Sequence, residues 1–147
     1  NASMFHRPHV RQGLGILDRN QGEIWAKLDA GTESYFHLVD RTTIPFSQIL
    51  TNITAAAIAR PLVLQCLFMR INGQAPGRDE QLAFCERLTE ITQAGGTIKL
   101  VQLYTVARRP AEAFVTPLST QEVDQFVSLV QTKTGLNVQG YYGSSEE

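Results

Sequence analysis

Leu62-Val63-Leu64-Gln65-Cys66-Leu67-Phe68-Met69 decides the fold of this chain. It is a near-continuous apolar run of the kind a strand covered on both faces needs, and such strands belong to parallel sheets. Upstream, Phe46, Ile49, Leu50, Ile53 and Ala57 share one helical face, with Ser47 near the start and Pro61 barring continuation. Further upstream, Ile24-Trp25-Ala26-Lys27-Leu28-Asp29 alternates in character and ends in Ala30-Gly31-Thr32, which suits a strand leading into a turn. Downstream, Asn72 to Gly77 is a loop. Leu82, Cys85, Leu88 and Ile91 then form the stripe of a helix that begins near Asp79, and Gly95-Gly96 closes it. Ile98 to Val106 reads as a third strand. Ser119 and Glu122 read as the capping box of a helix carrying Val123, Phe126, Val127 and Val130, and Val138 to Tyr142 as a fourth strand.

These strands begin at Ile24, Leu62, Ile98 and near Asn137, roughly 37 residues apart, the length of a strand, a helix and two loops. Regular alternation implies parallel strands joined by right-handed crossovers, in an open doubly wound sheet or a barrel, and both place ligands at the strand C-termini. The expected fold is α/β: a partial (β/α) TIM-barrel-like parallel sheet of about four strands with flanking helices. Phe5 to Gly15 reads as a short helix, with Pro8 near its start and Gly13 and Gly15 near its end, and no strand precedes it. A full barrel takes about 200 residues or more, so residues 1–147 are expected to be a single segment, the later part of such a barrel.

The totals agree with one globular unit: 147 residues, 43% of them apolar and 18% charged, can bury one ordinary core. No apolar run approaches the about 20 residues that cross a bilayer, and Asn1 to Val10 lacks the apolar stretch of a secretory signal, so no membrane partner and a cytoplasmic location are expected. A net charge of -1 argues against strong binding to a phosphate backbone. Cys66 and Cys85 have no histidines at ligand spacing and read as buried packing residues. His6 and His9 lack a third ligand, His37 lacks a nearby nucleophile, and no G-x-S-x-G, P-loop or G-x-G-x-x-G motif is present.

Chemistry therefore has to come from the strand ends. Lys27 and Asp29 point to one face at the end of the first strand, where charges are costly unless they pair with each other or face a polar cavity. Gln65, Gln102 and Tyr104 interrupt apolar strands and must find partners, either each other and the backbone or a ligand in a shared cavity. Arg70 and the pair Arg108-Arg109 lie just beyond their strands, where they either bind an anionic group or belong to solvated loops.

Ile24 to Glu33, Leu64 to Arg70 and Lys99 to Arg108 together resemble the radical S-adenosylmethionine (radical SAM) enzymes, and within them the branch of wyosine-type tRNA-modifying and related iron-sulfur oxidoreductases. The likeness implies a partial barrel in which a 4Fe-4S cluster on a C-x-x-x-C-x-x-C loop reductively cleaves S-adenosylmethionine and starts radical chemistry. That loop is absent here. The resemblance thus implies the C-terminal part of the barrel, without the N-terminal cluster-binding units, with the cluster ligated outside this segment and no metal ligands within it. It further implies that Lys27 and Asp29 hold the methionine carboxylate and ribose, that Gln65 and Gln102 line the cofactor cavity, and that Leu103-Tyr104-Thr105 cradles adenine. Arg70, Arg108 and Arg109 are the candidates for an anionic group of a small-molecule or RNA substrate, and an electron donor would serve the parent enzyme. The catalytic residues are not identifiable, and the segment alone should be inactive.

Two other readings stand beside this one. Lys27 next to Asp29 would suit a Schiff-base or proton-transfer lysine in a non-redox barrel lyase or isomerase. Alternatively, the chain is a scaffold whose open sheet edge self-associates or pairs with another chain.

Overall fold

The computed structural model describes residues 2–19, 22–106 and 113–143. Helix α1 spans Pro8–Arg19, followed by strand β1 (Ile24–Lys27), helices α2 (Glu33–Asp40) and α3 (Phe46–Ala59), and strand β2 (Leu62–Leu67). After β3 (Arg70–Ile71) come α4 (Arg78–Gln93), β4 (Ile98–Tyr104), β5 (Val115–Thr116), α5 (Thr120–Thr134) and β6 (Val138–Tyr141). The main sheet has four strands in the order β1-β2-β4-β6, all parallel. Spatial order follows chain order, so right-handed crossovers put α3, α4 and α5 on one face, as in the wall of a barrel. The fold expected from the sequence is the fold observed.

Side-chain alternation divides each strand between two faces. Leu62, Leu64 and Cys66 of β2, Val101 and Leu103 of β4, and Ala26 of β1 join the core with Ile53, Phe84, Leu88 and Phe126 of the helices. At its centre Phe68 meets Phe84 and Phe126 edge-on, with ring centroids 5.1 and 4.7 Å apart. The opposite face carries Trp25, Val63 and Leu100 in one register row and Lys27, Gln65, Gln102 and Gln139 in the next. Trp25 is 49% exposed and Tyr141 44%, so this face lies open at both edges.

Three of the segments assigned from the sequence depart from expectation. Helix α1 runs through Gly13 and Gly15 instead of ending there, since two glycines weaken a helix by about 1 kcal/mol each but do not break it. Helix α3 is capped by Pro45 with no side-chain hydrogen bond, and Ser47 lies inside it. The connection after β2 is more than a loop: Asn72 and Gly73 adopt positive φ of 51 and 76°, and Ile71 and Gln74 exchange both backbone hydrogen bonds at 3.0 Å. This is the tight turn that Asn-Gly favours. It extends a two-stranded antiparallel ribbon, β3 with β5, at the C-terminal end of the sheet.

The capping box of α5 forms as expected, with Ser119 Oγ accepting from the Glu122 N–H at 3.1 Å and Glu122 Oε1 accepting from the Ser119 N–H at 2.9 Å. Both cysteines are buried and free. Among the described residues, no helix is long and apolar enough to cross a membrane.

Candidate functional site

The end of β1 is built to carry charge. Beyond Lys27 the chain passes through Leu28 and Ala30, both buried, so Asp29 between them is fixed in place and only 8% exposed. Asp29 Oδ1 accepts the Leu67 N–H at 2.8 Å, tying the end of β1 to the end of β2, and Oδ2 lies 3.6 Å from Lys27 Nζ. Burial pushes the Asp29 carboxyl above its ordinary pKa, and the Leu67 N–H and Lys27 offset this only in part. For Lys27, burial acts to lower the pKa, but Asp29, Tyr104 and Asp40 outweigh it and the ammonium is held above its usual value.

Tyr104 reaches the same point from β4. Burial raises the pKa of its hydroxyl, against the opposing pull of the nearby Lys27 ammonium. Asp40, at the end of α2, is raised by burial and drawn back by Lys27. A pocket of about 450 Å³ opens between β1 and the α2–α3 connection, lined by Lys27, Asp29, Asp40 and Thr42 over Phe36 and Ile49. That volume falls in the roughly 300–1,000 Å³ range of small-molecule sites.

Gly31 and Thr32 hold this strand end against α4. Glu80, 8% exposed, accepts the Gly31 N–H at 2.5 Å and the Thr32 hydroxyl at 2.7 Å. A Cβ on Gly31 would stand 2.1 Å from the backbone nitrogen of Phe84, so only glycine permits this approach. The Thr32 hydroxyl also caps α2 by accepting from the Tyr35 N–H.

The structure sorts the sequence candidates into three groups. Lys27, Asp29 and Tyr104 come together, and Gln65 and Gln102 lie beside them, with Gln65 Nε2 donating to Gln102 Oε1 at 3.3 Å. Leu103 and Thr105 are engaged elsewhere. The Leu103 side chain is fully buried in the helix-facing core, and Thr105 Oγ1 accepts the Leu118 N–H at 2.8 Å. The backbone of β4 is paired on both sides, with the Tyr104 carbonyl taking the Phe68 N–H at 2.9 Å, so this stretch offers the site the Tyr104 side chain. Arg70 is held in an ion pair, with Nη2 2.6 Å and Nε 3.1 Å from Glu122 Oε1, while Nη1 donates to the Gly73 carbonyl at 3.0 Å. It locks the ribbon to the start of α5. Arg108 and Arg109 lie outside the described residues.

Asp40, Thr42 and Glu80 were not legible beforehand. Asp79-Glu80 in the first turn of a helix favours the helix dipole, which hides the role of Glu80 across 49 residues of sequence. Asp40 belongs to a helix that no apolar run announced.

A cysteine-held iron-sulfur cluster needs several thiolates at one place. Cys66 packs into the core and Cys85 lies on α4, and burial raises both thiols, Cys66 strongly. Among the described residues, no three His, Cys, Asp or Glu side chains converge. These residues do not fit a cluster, whereas a cation, a carboxylate and a phenol beside a pocket do fit a zwitterionic ligand carrying hydroxyl groups.

No protein-family model matches the chain, and no curated protein matches it. Among solved structures, a radical SAM methyltransferase from Sphaerobacter thermophilus superposes with a TM-score of 0.65 at 14% sequence identity, over 88% of this chain and 38% of that one. The chain therefore has the fold of a part of that enzyme, and spans well under half of its length.

Proposed function

We propose that this chain forms part of the cofactor and substrate wall of a radical SAM-type enzyme, with the iron-sulfur cluster held outside these residues. The observation that carries the reading is the Lys27, Asp29 and Tyr104 grouping at the end of an edge strand, beside a pocket of about 450 Å³, on the fold shared with the methyltransferase. S-adenosylmethionine, when bound to a complete enzyme of this class, supplies the radical. The residues here bind and orient. Lys27, held protonated by its neighbours, meets the methionine carboxylate; Asp29 accepts from the ribose hydroxyls; Gln65, Gln102 and Tyr104 close the polar side. Asp40, the other carboxylate lining the pocket, would receive the ammonium group. A wyosine-type oxidoreductase role, a small-molecule or RNA substrate, an electron donor and a cytoplasmic setting are parts of the same proposal, supported by the sequence resemblance.

The lyase reading of Lys27 is disfavoured on chemical grounds. A Schiff-base lysine works through a lowered pKa, and here the ammonium is held above its ordinary value. Equilibrium dialysis with labelled S-adenosylmethionine checks the proposal. Weak saturable binding is expected, reduced about tenfold or more in Lys27→Met, since a charge-assisted contact of roughly 1.5–3 kcal/mol is lost. Equal retention by the wild type and the variant would remove Lys27 from the site.

A further inference from the structure

At the opposite end of β1 from Lys27, a cavity of about 370 Å³ opens between α1 and α3. Its walls are apolar. Phe5, Leu14 and Ile24 line it, and Ala55, Ala56 and Ala59 line it from α3, where residues three and four apart share a face. Its polar side chains are those of His6, Arg11, Asn52 and Arg60, and no carboxylate lines it among the described residues. We propose that this cavity binds an acyl carboxylate of medium length, its head met by Arg11, Arg60 and His6 and its tail laid along the alanines of α3.

The wall that carries His6 is held in place by a buried side chain. Asn52, 5% exposed, donates its amide to the Ala2 carbonyl at 2.9 Å and lies 3.3 Å from His6 Nδ1. Gln48 Nε2 is 3.4 Å from the same ring nitrogen. Amide nitrogens only donate, so Nδ1 accepts, and the neutral imidazole carries its proton on Nε2, a donor for an anionic oxygen. Arg11 and Arg60 are charged at any physiological pH and match a carboxylate with paired N–H donors. Nε and Nη1 of Arg60 are buried, and lower polarity strengthens the pull on an anion. Glu23, the acid next to Ile24, pairs with Lys99 at 3.2 Å and leaves the cavity to its cations. A bare inorganic anion would leave the apolar walls unused. A water takes about 30 Å³ in the liquid, so the cavity has room for roughly twelve groups of that size, an acyl chain of about eight to ten carbons with its head. Ile24 and Lys27 stand at the two ends of β1, about 10 Å apart along an extended strand, so this site is separate from the one at Lys27 and Asp29 and does not rest on the enzyme reading above.

Ligand-observed NMR titration of the chain with octanoate, beside acetate as a head without a tail and octanol as a tail without a charge, tests the proposal. Octanoate should bind saturably, and each control about tenfold more weakly or less, since a charge-assisted contact alone is worth about that factor. Arg11→Gln and Ala55→Trp, both at exposed positions, should melt as the wild type does. Each should weaken octanoate about tenfold, the first by removing a charge and the second by filling the cavity. Lys27→Met should bind octanoate as the wild type does. Absence of octanoate binding, wild-type affinity in either Arg11→Gln or Ala55→Trp, or octanol binding equal to that of octanoate overturns the proposal. So does weakening by Lys27→Met, which would move the ligand to the other end of β1. Binding to phosphatidylglycerol vesicles without binding of free octanoate would replace the cavity by a membrane-facing surface, and overturns it as well.

Discussion

The two faces of the sheet come from the same strands and follow opposite rules. Toward the helices, Leu62, Leu64, Cys66 and Phe68 are at most 1% exposed and pack into one core. Away from them, the same strands present Lys27, Gln65, Gln102 and Gln139 as a polar row between an apolar row and a row bearing tyrosines. The first face carries the stability of the fold. The second carries the candidate site, and its polar groups face each other and solvent.

Four substitutions break or sharpen that contrast. Phe68→Ala removes the ring on which Phe84 and Phe126 close, and should cost about 3–5 kcal/mol, read as a lowered denaturant midpoint. Glu80→Ala leaves the buried Gly31 N–H without its acceptor, at a cost of about 1–3 kcal/mol. It should also loosen the Lys27 to Thr32 segment, seen as faster hydrogen exchange there than in β4.

Asp29→Asn acts in the other direction. The Asp29 carboxyl is displaced upward in the folded chain, so the folded state prefers it protonated. Its contribution is fully present below the ordinary carboxylate pKa and is lost as pH rises through the displaced value. At neutral pH the ionised group therefore costs stability. An asparagine keeps the acceptor for the Leu67 N–H and removes the buried charge at the cost of its pairing with Lys27, so it should raise stability slightly at neutral pH. That gain should shrink as the melts are repeated toward pH 4, because the wild-type carboxyl protonates. Gln102→Leu, on the open face, should change stability by less than about 0.5 kcal/mol either way, a small shift beside that of Phe68→Ala.

The same contrast explains what could be read in advance. The core strand was legible because Leu62 to Met69 is almost wholly apolar, and the helices because their apolar residues repeat at 3.6. The run from Leu62 to Met69 looked like a strand covered on both faces, yet helices cover one. Val63 and Leu67 are also apolar and point away from those helices, where Val63 is still only 1% exposed. Lys27 and Asp29 were legible because charges on a covered strand end are costly. Arg70 was not, because its partner Glu122 lies 52 residues away, and a positively charged residue after a strand looks the same whether it grips a ligand or a helix cap. Helix α2 escaped notice because one buried residue, Phe36, fixes it. The Thr32 cap and Arg41 in the left-handed conformation that bound it are local devices without an apolar stripe.

Mapping backbone amide shifts while S-adenosylmethionine is added tests most directly whether the open face and the end of β1 form the ligand wall. The account predicts progressive, saturable shifts at Lys27 to Gly31, Gln65, Gln102 and Tyr104, with Phe84, Leu88 and Phe126 unmoved, and their loss in Asp29→Asn. Shifts confined to the helical side, or none at any concentration, would contradict it.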